Sequence, residues 1–352
     1  MSALTDATVT PGTPLLVRTT TTNTNAADSN AWVARNQASV EDLLRAHGAV
    51  LFRGFPLACA EDFDAFVCGF AGWEDLSYEK SMSFAVRTRK ANRIATTNEG
   101  KTGGLVFHHE QAQTPLYPSK IFFCCEQPAA TGDGGQTGIS SSVALLQQLR
   151  AAHPEFVAKC VDVGVKYTLY AGEVSDASKG AGRSWSSFFH VDTREECERV
   201  MAEGGWIWEW GVGASGESKP DNFLKATTPR LDAVKTAPGT EKECFFNQLI
   251  ASTANAMEFV KVGVDDSAAR AAGVGIDTPT QEALSACVRF ADGEEIDLAV
   301  LLEAKAMAEK LAVDVQWETG DVLLLDNYLF MHARRIWSGP EGSRRLYASL
   351  VK

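Results

Sequence analysis

The sequence predicts a mainly β, α+β protein in which two packed sheets form the core and helices flank and interrupt them. Short segments of strand composition recur along the chain, and helical patterns lie between them. The residues of one candidate metal site also come from distant parts of the chain, as in a double-sheet β core. A doubly wound parallel sheet fits less well, because no glycine-rich phosphate turn follows the first predicted strand.

The predicted elements follow from capping residues and from the spacing of apolar side chains. Ser39 begins a helix that ends at Gly48, and Ala49–Arg53 forms the strand after it. Ala60–Phe70 carries its phenylalanines at helical spacing. The other predicted elements are strands at 107–110, 121–125, 322–325 and 345–350, and helices at 143–151, 194–202 (capped by Thr193) and 298–311 (capped by Asp297).

The chain is predicted to fold as one domain after a short lead-in. Residues 1–30 are expected to be partly irregular, because Thr19–Asn30 is polar, small and poor in core-forming residues. Residues 31–352 then form a single domain with a helical insert around 140–310. With 352 residues, 45% of them hydrophobic, the chain can build a core without covalent staples.

The net charge and the cysteine spacing indicate which partners and which compartment the protein is expected to have. The net charge of -12 argues against binding to nucleic acid or to an anionic membrane, so a small molecule is the expected partner. The eight cysteines form no Cys-x-x-Cys pair, which fits free thiols in a reducing compartment and predicts a cytoplasmic protein. The sequence shows no signal-peptide pattern and no apolar run of membrane-spanning length. It leaves the oligomeric state open.

A candidate metal site combines the tripeptide His108-His109-Glu110 with the distant His332. In an extended segment, His108 and Glu110 leave one face and His109 leaves the other. Two histidines and one carboxylate suit non-haem Fe(II), because three adjacent coordination positions stay open for a co-substrate and oxygen. An arginine of the Arg344-Arg345 pair could hold a dicarboxylate such as 2-oxoglutarate. The alternative reading is hydrogen-bonded or solvent-facing loop histidines and a solvated arginine pair.

Five segments carry a resemblance to a known family. They are HGAVLFRGFP (His47–Pro56), FHHEQAQTPLYPSKIFFCCEQPAATGDGGQT (Phe107–Thr137), FFNQLIA (Phe245–Ala251), FADGEEID (Phe290–Asp297) and WETGDVLLLDNYLFMHARR (Trp317–Arg335). In this order they resemble the taurine dioxygenase family of Fe(II)- and 2-oxoglutarate-dependent oxygenases, in the branch similar to clavaminate synthase. The resemblance spans nearly the whole chain. Relatives commonly have glycine where this chain has Ala333, a small change that leaves the ligand histidine untouched.

The resemblance implies a distorted jelly roll, also called a double-stranded β-helix, with iron held by His108, Glu110 and His332. It implies Fe(II) as the cofactor, and 2-oxoglutarate and O2 as co-substrates. The family's 2-oxoglutarate anchors are a threonine after a Gly-Gly turn and an arginine beyond the distal histidine. These match Thr137 and one member of the Arg344-Arg345 pair.

We predict Arg345 as the anchor on the basis of strand parity. In a regular strand Arg345 shares a face with Tyr347 and Ser349, whereas Arg344 shares the opposite face with Leu346 and Ala348. A β-bulge would reverse the choice.

The activity implied by the resemblance is hydroxylation of an unactivated C–H bond of a small molecule, such as an amino acid or a derivative, with release of succinate and CO2. Glu110 argues against the related halogenases, in which a small residue replaces the carboxylate. Desaturation, ring closure, a catalytically silent metabolite-binding jelly roll and a zinc hydrolase remain as alternatives. Asn98 is a candidate substrate contact, with a turn-forming role as the other reading.

Overall fold

The computed structural model describes residues 4–20, 25–97, 104–176, 182–255 and 279–352. Its helices are α1 (Ala26–His47), α2 (Ala60–Cys68), α3 (Ser142–Ala152), α4 (Pro154–Asp162), α5 (Trp185–Phe189), α6 (Arg194–Glu203), α7 (Gln281–Cys287) and α8 (Leu298–Lys310). Residues 249–255 are also helical. The strands are β1 (Ala7–Thr10), β2 (Leu15–Thr19), β3 (Ala49–Arg53), β4 (Ala95–Thr96), β5 (Leu105–His108), β6 (Lys120–Gln127), β7 (Thr137–Ser141), β8 (Val165–Ala171), β9 (Ile207–Trp210), β10 (Leu224–Thr227), β11 (Lys235–Thr236), β12 (Glu243–Cys244), β13 (Val288–Phe290), β14 (Val313–Val315), β15 (Val322–Asp326), β16 (Phe330–Arg334) and β17 (Arg345–Val351). The fold is therefore of the mixed α/β class with several sheets.

Two sheets enclose the interior that holds the candidate site. The larger has the order β1-β2-β3-β15-β6-β17-β4, and the smaller has the order β14-β7-β16-β5. Side chains of both sheets meet in one buried cluster, with Phe123 and Ala348 from the larger sheet and Ile139 and Phe330 from the smaller. The space between β6 and β17 of the larger sheet and β7 and β16 of the smaller sheet is thus enclosed by both sheets.

The outer face of the larger sheet is covered by α1 and α2. Trp32 and Phe66 from these helices pack with Phe52 and Phe122 of the sheet in a second buried cluster. The aromatic rings of Trp32 and Phe52 meet edge to face, with centroids 6.2 Å apart. The two faces of this sheet are therefore distinct, and the helix-covered face is closed to ligands.

Helix α1 differs from its prediction at its beginning and confirms it at its end. The loop predicted over Thr19–Asn30 is wrong for Ala26–Asn30, which are helical, and the predicted start at Ser39 is wrong as well. The side chain of Asn25 caps α1 by accepting a hydrogen bond from the Asp28 N–H, 3.0 Å away. At the other end Gly48 has a φ of 74°, as an αL glycine stop requires.

The segment predicted as a helical insert contains a sheet as well as helices. Its strands run antiparallel in the order β13-β8-β10-β9. Along β8 buried residues alternate with half-buried ones. Phe188, Met201 and Trp206 from the region of α5 and α6 pack on the β8–β10 part of this sheet. The division into lead-in, single domain and insert stays a prediction.

The predicted caps of two later helices are confirmed. The Thr193 side chain accepts a hydrogen bond from the Glu196 N–H at the start of α6, and the Asp297 side chain does the same for Ala299 in α8. Among the helices that the structure describes, none combines the length and the apolar character needed to cross a bilayer.

Candidate metal centre

The three predicted metal ligands meet where the end of β5 lies beside the middle of β16. β16 pairs antiparallel with β5, and His332 lies directly opposite His108. β5 ends at His108, so Glu110 lies in the turn after the strand and not in the strand itself. The Nε2 atoms of His332 and His108 lie 3.6 and 4.0 Å from Oε2 of Glu110. The structure thus brings together residues from distant parts of the sequence.

The protonation state of His108 suits a metal ligand. Burial, followed by the neighbouring His332, lowers the pKa of His108 to about 4, so its imidazole is neutral near pH 7. Nδ1 of His108 lies 2.8 Å from the Val106 carbonyl oxygen, and donation of a proton there directs the lone pair of Nε2 toward the site. Neutral imidazole is the form that binds metals.

Glu110 is ionised in spite of its surroundings. Burial alone would raise its pKa, but the hydrogen bond with His332 and the charges of His332, His108 and Arg87 lower that pKa to about 2. The site therefore offers one anionic oxygen ligand beside the imidazole nitrogens of His108 and His332.

Asn327 fixes the backbone on which Glu110 sits. Its Oδ1 accepts a hydrogen bond from the Glu110 N–H at 2.9 Å, and its Nδ2 donates to the carbonyl oxygens of Glu110 and Pro118 at 3.1 and 2.7 Å. Asn327 is fully buried. The turn that carries Glu110 is thus tied to the β15–β16 connection, only a few residues before His332.

His109 points away from the triad, as predicted. It is fully buried, with Nε2 2.6 Å from Oγ of Ser142 and Nδ1 3.1 Å from the Asn247 carbonyl oxygen. Burial lowers the pKa of His109 to about 3. Its role in the described structure is to join the start of α3 to the segment around Asn247.

The triad fits a single divalent ion. The ligand atoms of His108, Glu110 and His332 all lie within 4.8 Å of one another. Metal–ligand bonds of about 2.0–2.2 Å, as for zinc, place two ligands of one ion at most about 4.4 Å apart. The two distances from Glu110 are already inside that limit. Two imidazoles and one carboxylate with open positions are typical of non-haem Fe(II) sites.

Thr137 lies on the interior face of β7, near the triad. It is 4% exposed, and its neighbour across the sheet is Arg334, two residues beyond His332. Its Oγ1 accepts a hydrogen bond from Nε1 of Trp317 at 3.2 Å. Because residues two apart on a strand share a face, Arg334 and His332 both face the interior.

The two candidate arginines at the start of β17 lie on opposite faces of the sheet. Arg345 pairs with Glu126, and its side chain is 43% exposed. Arg344 is 5% exposed, and its Nε donates a hydrogen bond to the Gly135 carbonyl oxygen at 2.8 Å. Gly135 lies in the turn that leads to Thr137.

Arg345 shares a face with Tyr347, as strand parity predicted, but that face is the helix-covered outer face of the sheet and not the interior one. The pairing of β17 with β6 shifts register between Arg345 and Leu346 because β6 carries an extra residue there, so side chains still alternate along β17. Tyr347 lies in the helix-covered outer cluster, whereas Ala348 lies in the interior cluster. Parity therefore places Arg344, and not Arg345, on the interior face.

Sequence reasoning missed three residues around the triad. Arg334 is 8% exposed. Its position two residues after His332 could have indicated that both side chains leave the same face of a strand. Tyr78 and Arg87 come from a segment of mostly irregular structure in which no motif marks them. The candidate Asn98 lies outside the described residues.

Comparison with known proteins agrees with this geometry. The model of the family described as "Taurine catabolism dioxygenase TauD, TfdA family" matches residues 8–350. A clavaminate synthase-like protein of Arabidopsis thaliana is 32% identical over 315 residues, which cover 89% of this chain and 84% of the relative. A dapdiamide synthesis protein of Enterobacter agglomerans is 26% identical over 306 residues, covering 87% of this chain and 83% of the relative.

Solved structures support the same fold. The crystal structure of a proposed alpha-ketoglutarate-dependent 2,4-D dioxygenase from Burkholderia xenovorans matches with a TM-score of 0.51 and 13% identity, over 99% of this chain and 97% of that one. The family match and the Arabidopsis relative each span most of the chain. The protein therefore belongs to the TauD/TfdA family and is an Fe(II)- and 2-oxoglutarate-dependent dioxygenase that uses O2.

Proposed function

We propose that this enzyme hydroxylates an unactivated C–H bond of a small molecule, and that its two facing sheets form the distorted jelly roll of the family. The observation that carries the proposal is the complete His108, Glu110 and His332 triad with an ionised carboxylate. A carboxylate at this position favours hydroxylation over halogenation, because it fills the place that a halide would need. Bound Fe(II), with 2-oxoglutarate and O2, supplies the oxidising chemistry and yields succinate and CO2.

For the far carboxylate of 2-oxoglutarate we propose Thr137 and Arg344, in place of Arg345. Arg344 is buried beside the Gly135 turn and faces the interior, whereas Arg345 is half-exposed and pairs with Glu126. A guanidinium stays charged and matches the two oxygens of a carboxylate. In this proposal Thr137 adds one hydroxyl to the same carboxylate.

For the primary substrate we propose an amino acid or a derivative of one. One relative takes part in dapdiamide synthesis, which supports a small-molecule substrate. Desaturation and ring closure would use the same residues, but they differ from hydroxylation in the mass of the product. Family membership disfavours the zinc hydrolase and the silent metabolite sensor.

The proposal is tested by screening small metabolites for stimulated succinate release. The protein is loaded with Fe(II) without oxygen and then given 2-oxoglutarate, ascorbate and air. We expect at least one metabolite to raise succinate formation and to gain one oxygen atom by mass spectrometry. A product that has lost two hydrogens would replace hydroxylation with desaturation or ring closure. Equal succinate formation by Glu110→Ala would contradict the role of the triad.

A further inference from the structure

The hydroxyl of Thr137 accepts a hydrogen bond from the protein but donates none within the described ranges of the chain. Its Oγ1 lies 3.2 Å from Nε1 of Trp317. An indole N–H can only donate, whereas a hydroxyl has one hydrogen and two lone pairs. Trp317 is therefore the donor, and the hydrogen of Thr137 stays available for another acceptor.

Both side chains of this hydrogen bond face the interior between the two sheets. Thr137 is 4% exposed and shares a face of β7 with Ile139, which lies in the interior cluster. Val315 of β14 pairs with Thr137 and lies in the same cluster. Trp317, two residues after Val315, packs against that cluster. The Trp317–Thr137 hydrogen bond is thus on the side of β7 where 2-oxoglutarate is proposed to bind.

Arg344 approaches the same turn from the start of β17 in the larger sheet. Its Nε donates a hydrogen bond to the carbonyl oxygen of Gly135, two residues before Thr137, at 2.8 Å. A Cβ added at Gly135 would lie 3.0 Å from Cδ and from Nε of Arg344, so the arginine side chain lies directly against the turn. The two groups proposed to bind the far carboxylate therefore meet at one turn, one as a cation and one as a hydroxyl.

A carboxylate complements a hydroxyl that has already accepted a hydrogen bond. Its oxygens only accept, and a hydrogen bond to an ionised acceptor is stronger than one to a neutral acceptor. A buried donor without an acceptor costs free energy, and a bound carboxylate removes that cost. In the resulting chain, the hydrogen bond from Trp317 to Thr137 polarises the hydroxyl and strengthens the hydrogen bond from Thr137 to the ligand.

Trp317 acts on a ligand through Thr137 and not by a hydrogen bond of its own. The indole has a single N–H, which the hydrogen bond to Thr137 uses. A threonine hydroxyl without such a partner rotates about its Cβ–Oγ1 bond, and it can accept from a ligand as readily as donate to it. With one lone pair of Oγ1 occupied by Trp317, the hydroxyl is oriented as a donor.

We infer that Trp317 is a positioning residue for the co-substrate. By donating to Oγ1 of Thr137, it orients that hydroxyl to donate to the far carboxylate of 2-oxoglutarate. This inference rests on the proposed function, in which Thr137 binds that carboxylate. It adds Trp317, which is outside the triad and the two proposed anchors, to the residues on which co-substrate affinity depends. Its consequence is an energetic coupling between Trp317 and Thr137 in the binding of 2-oxoglutarate.

The test is a double-mutant cycle on the affinity for 2-oxoglutarate. Binding to the Fe(II)-loaded full chain is measured by calorimetry without oxygen, so the Kd is obtained without turnover. The variants are Trp317→Phe, Thr137→Val, which removes the hydroxyl, and Thr137→Ser, which keeps it. Each Thr137 variant is also combined with Trp317→Phe. Trp337→Phe is the matched control, because the Nε1 of that buried indole has no hydrogen-bond partner among the described residues.

We expect Trp317→Phe to raise the Kd for 2-oxoglutarate about 2- to 5-fold, which corresponds to a coupling of about 0.5–1 kcal/mol between residues of one hydrogen-bond network. The same rise should appear in the Thr137→Ser background, because serine keeps the hydroxyl. It should be absent in the Thr137→Val background, where Trp317 has no hydroxyl to orient. The Kd for 2-oxoglutarate in Trp337→Phe, and the Kd for Fe(II) in all variants, should change little.

Two results would overturn the inference and leave Thr137 as an anchor. One is an unchanged Kd in Trp317→Phe, and the other is an equal rise in the wild-type and Thr137→Val backgrounds, which would assign the effect to packing of the indole. An unchanged Kd in Thr137→Val would remove both the Thr137 anchor and the inference. Trp317→Leu repeats the cycle if Trp317→Phe does not fold. The proposed function fails separately, if wild-type protein with bound iron makes no succinate from 2-oxoglutarate under any condition.

Discussion

Asn327 is the residue that most directly positions a metal ligand through the backbone. Its three hydrogen bonds hold the Glu110 turn. We predict that Asn327→Ala lowers Fe(II) affinity by about 10–100-fold, because loss of such outer partners typically has that effect on a metal site. Anaerobic Fe(II) titration measures it, with the exposed Asn222→Ala as the control. An unchanged Fe(II) affinity in a folded Asn327→Ala variant would show that the Glu110 turn keeps its conformation without the Asn327 side chain.

The two neighbouring arginines give a matched pair of variants. Arg344→Ala should raise the KM for 2-oxoglutarate by about 10- to 100-fold, as expected for loss of about 1.5–3 kcal/mol of charge-assisted hydrogen bonding. Arg345→Ala should change it little, since that side chain pairs with Glu126 at the outer face. Steady-state kinetics with varied 2-oxoglutarate decides between them, and the reverse pattern would return the role to Arg345.

Among single residues, the metal ligands could be predicted from the sequence, but the choice of Arg344 as the proposed 2-oxoglutarate anchor could not. The triad depends on residue types and on a spacing of two, and both are visible in the sequence. Choosing Arg344 required knowing that Ala348 faces the interior while Tyr347 packs under α1 and α2. That depends on which face of the sheet the helices cover, and both faces of β17 are apolar in sequence.

Among the elements, the turn before β7 leaves no room for a side chain at Gly134. Gly134 has a φ of +83°, and a Cβ there would lie 2.1 Å from the Ile336 carbonyl oxygen. We predict that Gly134→Ala is more destabilising than the control Gly72→Ala, where φ is +76° and nothing lies within 4 Å. The cost of a left-handed backbone at a non-glycine residue, about 1–3 kcal/mol, is common to both variants. Any further destabilisation of Gly134→Ala is therefore due to the contact between its Cβ and the Ile336 carbonyl oxygen.

Chemical denaturation of the two glycine variants measures this difference. A displaced turn should also raise the KM for 2-oxoglutarate in Gly134→Ala, because Thr137 follows three residues later. Equal losses of stability in the two variants would mean that the backbone at Ile336 moves away from the new Cβ at little cost in free energy.

Elements with strong local signals could be predicted, and those that depend on tertiary packing could not. The αL stop at Gly48 and the Thr193 and Asp297 caps are local, and all three are present. The first turns of α1 are polar in composition, yet Trp32 is fully buried and its Nε1 donates to the Thr5 carbonyl oxygen. The N-terminal segment thus stabilises a helix that its own composition disfavours.

At the scale of the whole molecule, the metal should stabilise the fold that presents its ligands. The triad joins β5 and its following turn to β16. Ligand at about 100 times its Kd adds about 2.7 kcal/mol to the free energy of unfolding. We therefore predict that Fe(II), added without oxygen, raises the unfolding midpoint of the wild type and leaves that of Glu110→Ala nearly unchanged. Equal shifts in both proteins would place the binding elsewhere.

The overall architecture was only partly readable from the sequence. A two-sheet β core with helices follows from the order of strands and from ligands that are distant in the chain. The β13-β8-β10-β9 sheet inside the predicted helical insert was missed, although apolar and polar residues alternate over 165–169 in the sequence.

Whether His108, Glu110 and His332 hold iron is measured by the amount of Fe(II) bound per chain after anaerobic loading and removal of free metal. We predict one Fe(II) per chain for the wild type, and little or none for Glu110→Ala and His332→Ala. Wild-type protein that retains no Fe(II), or folded variants that retain as much as the wild type, would contradict this prediction.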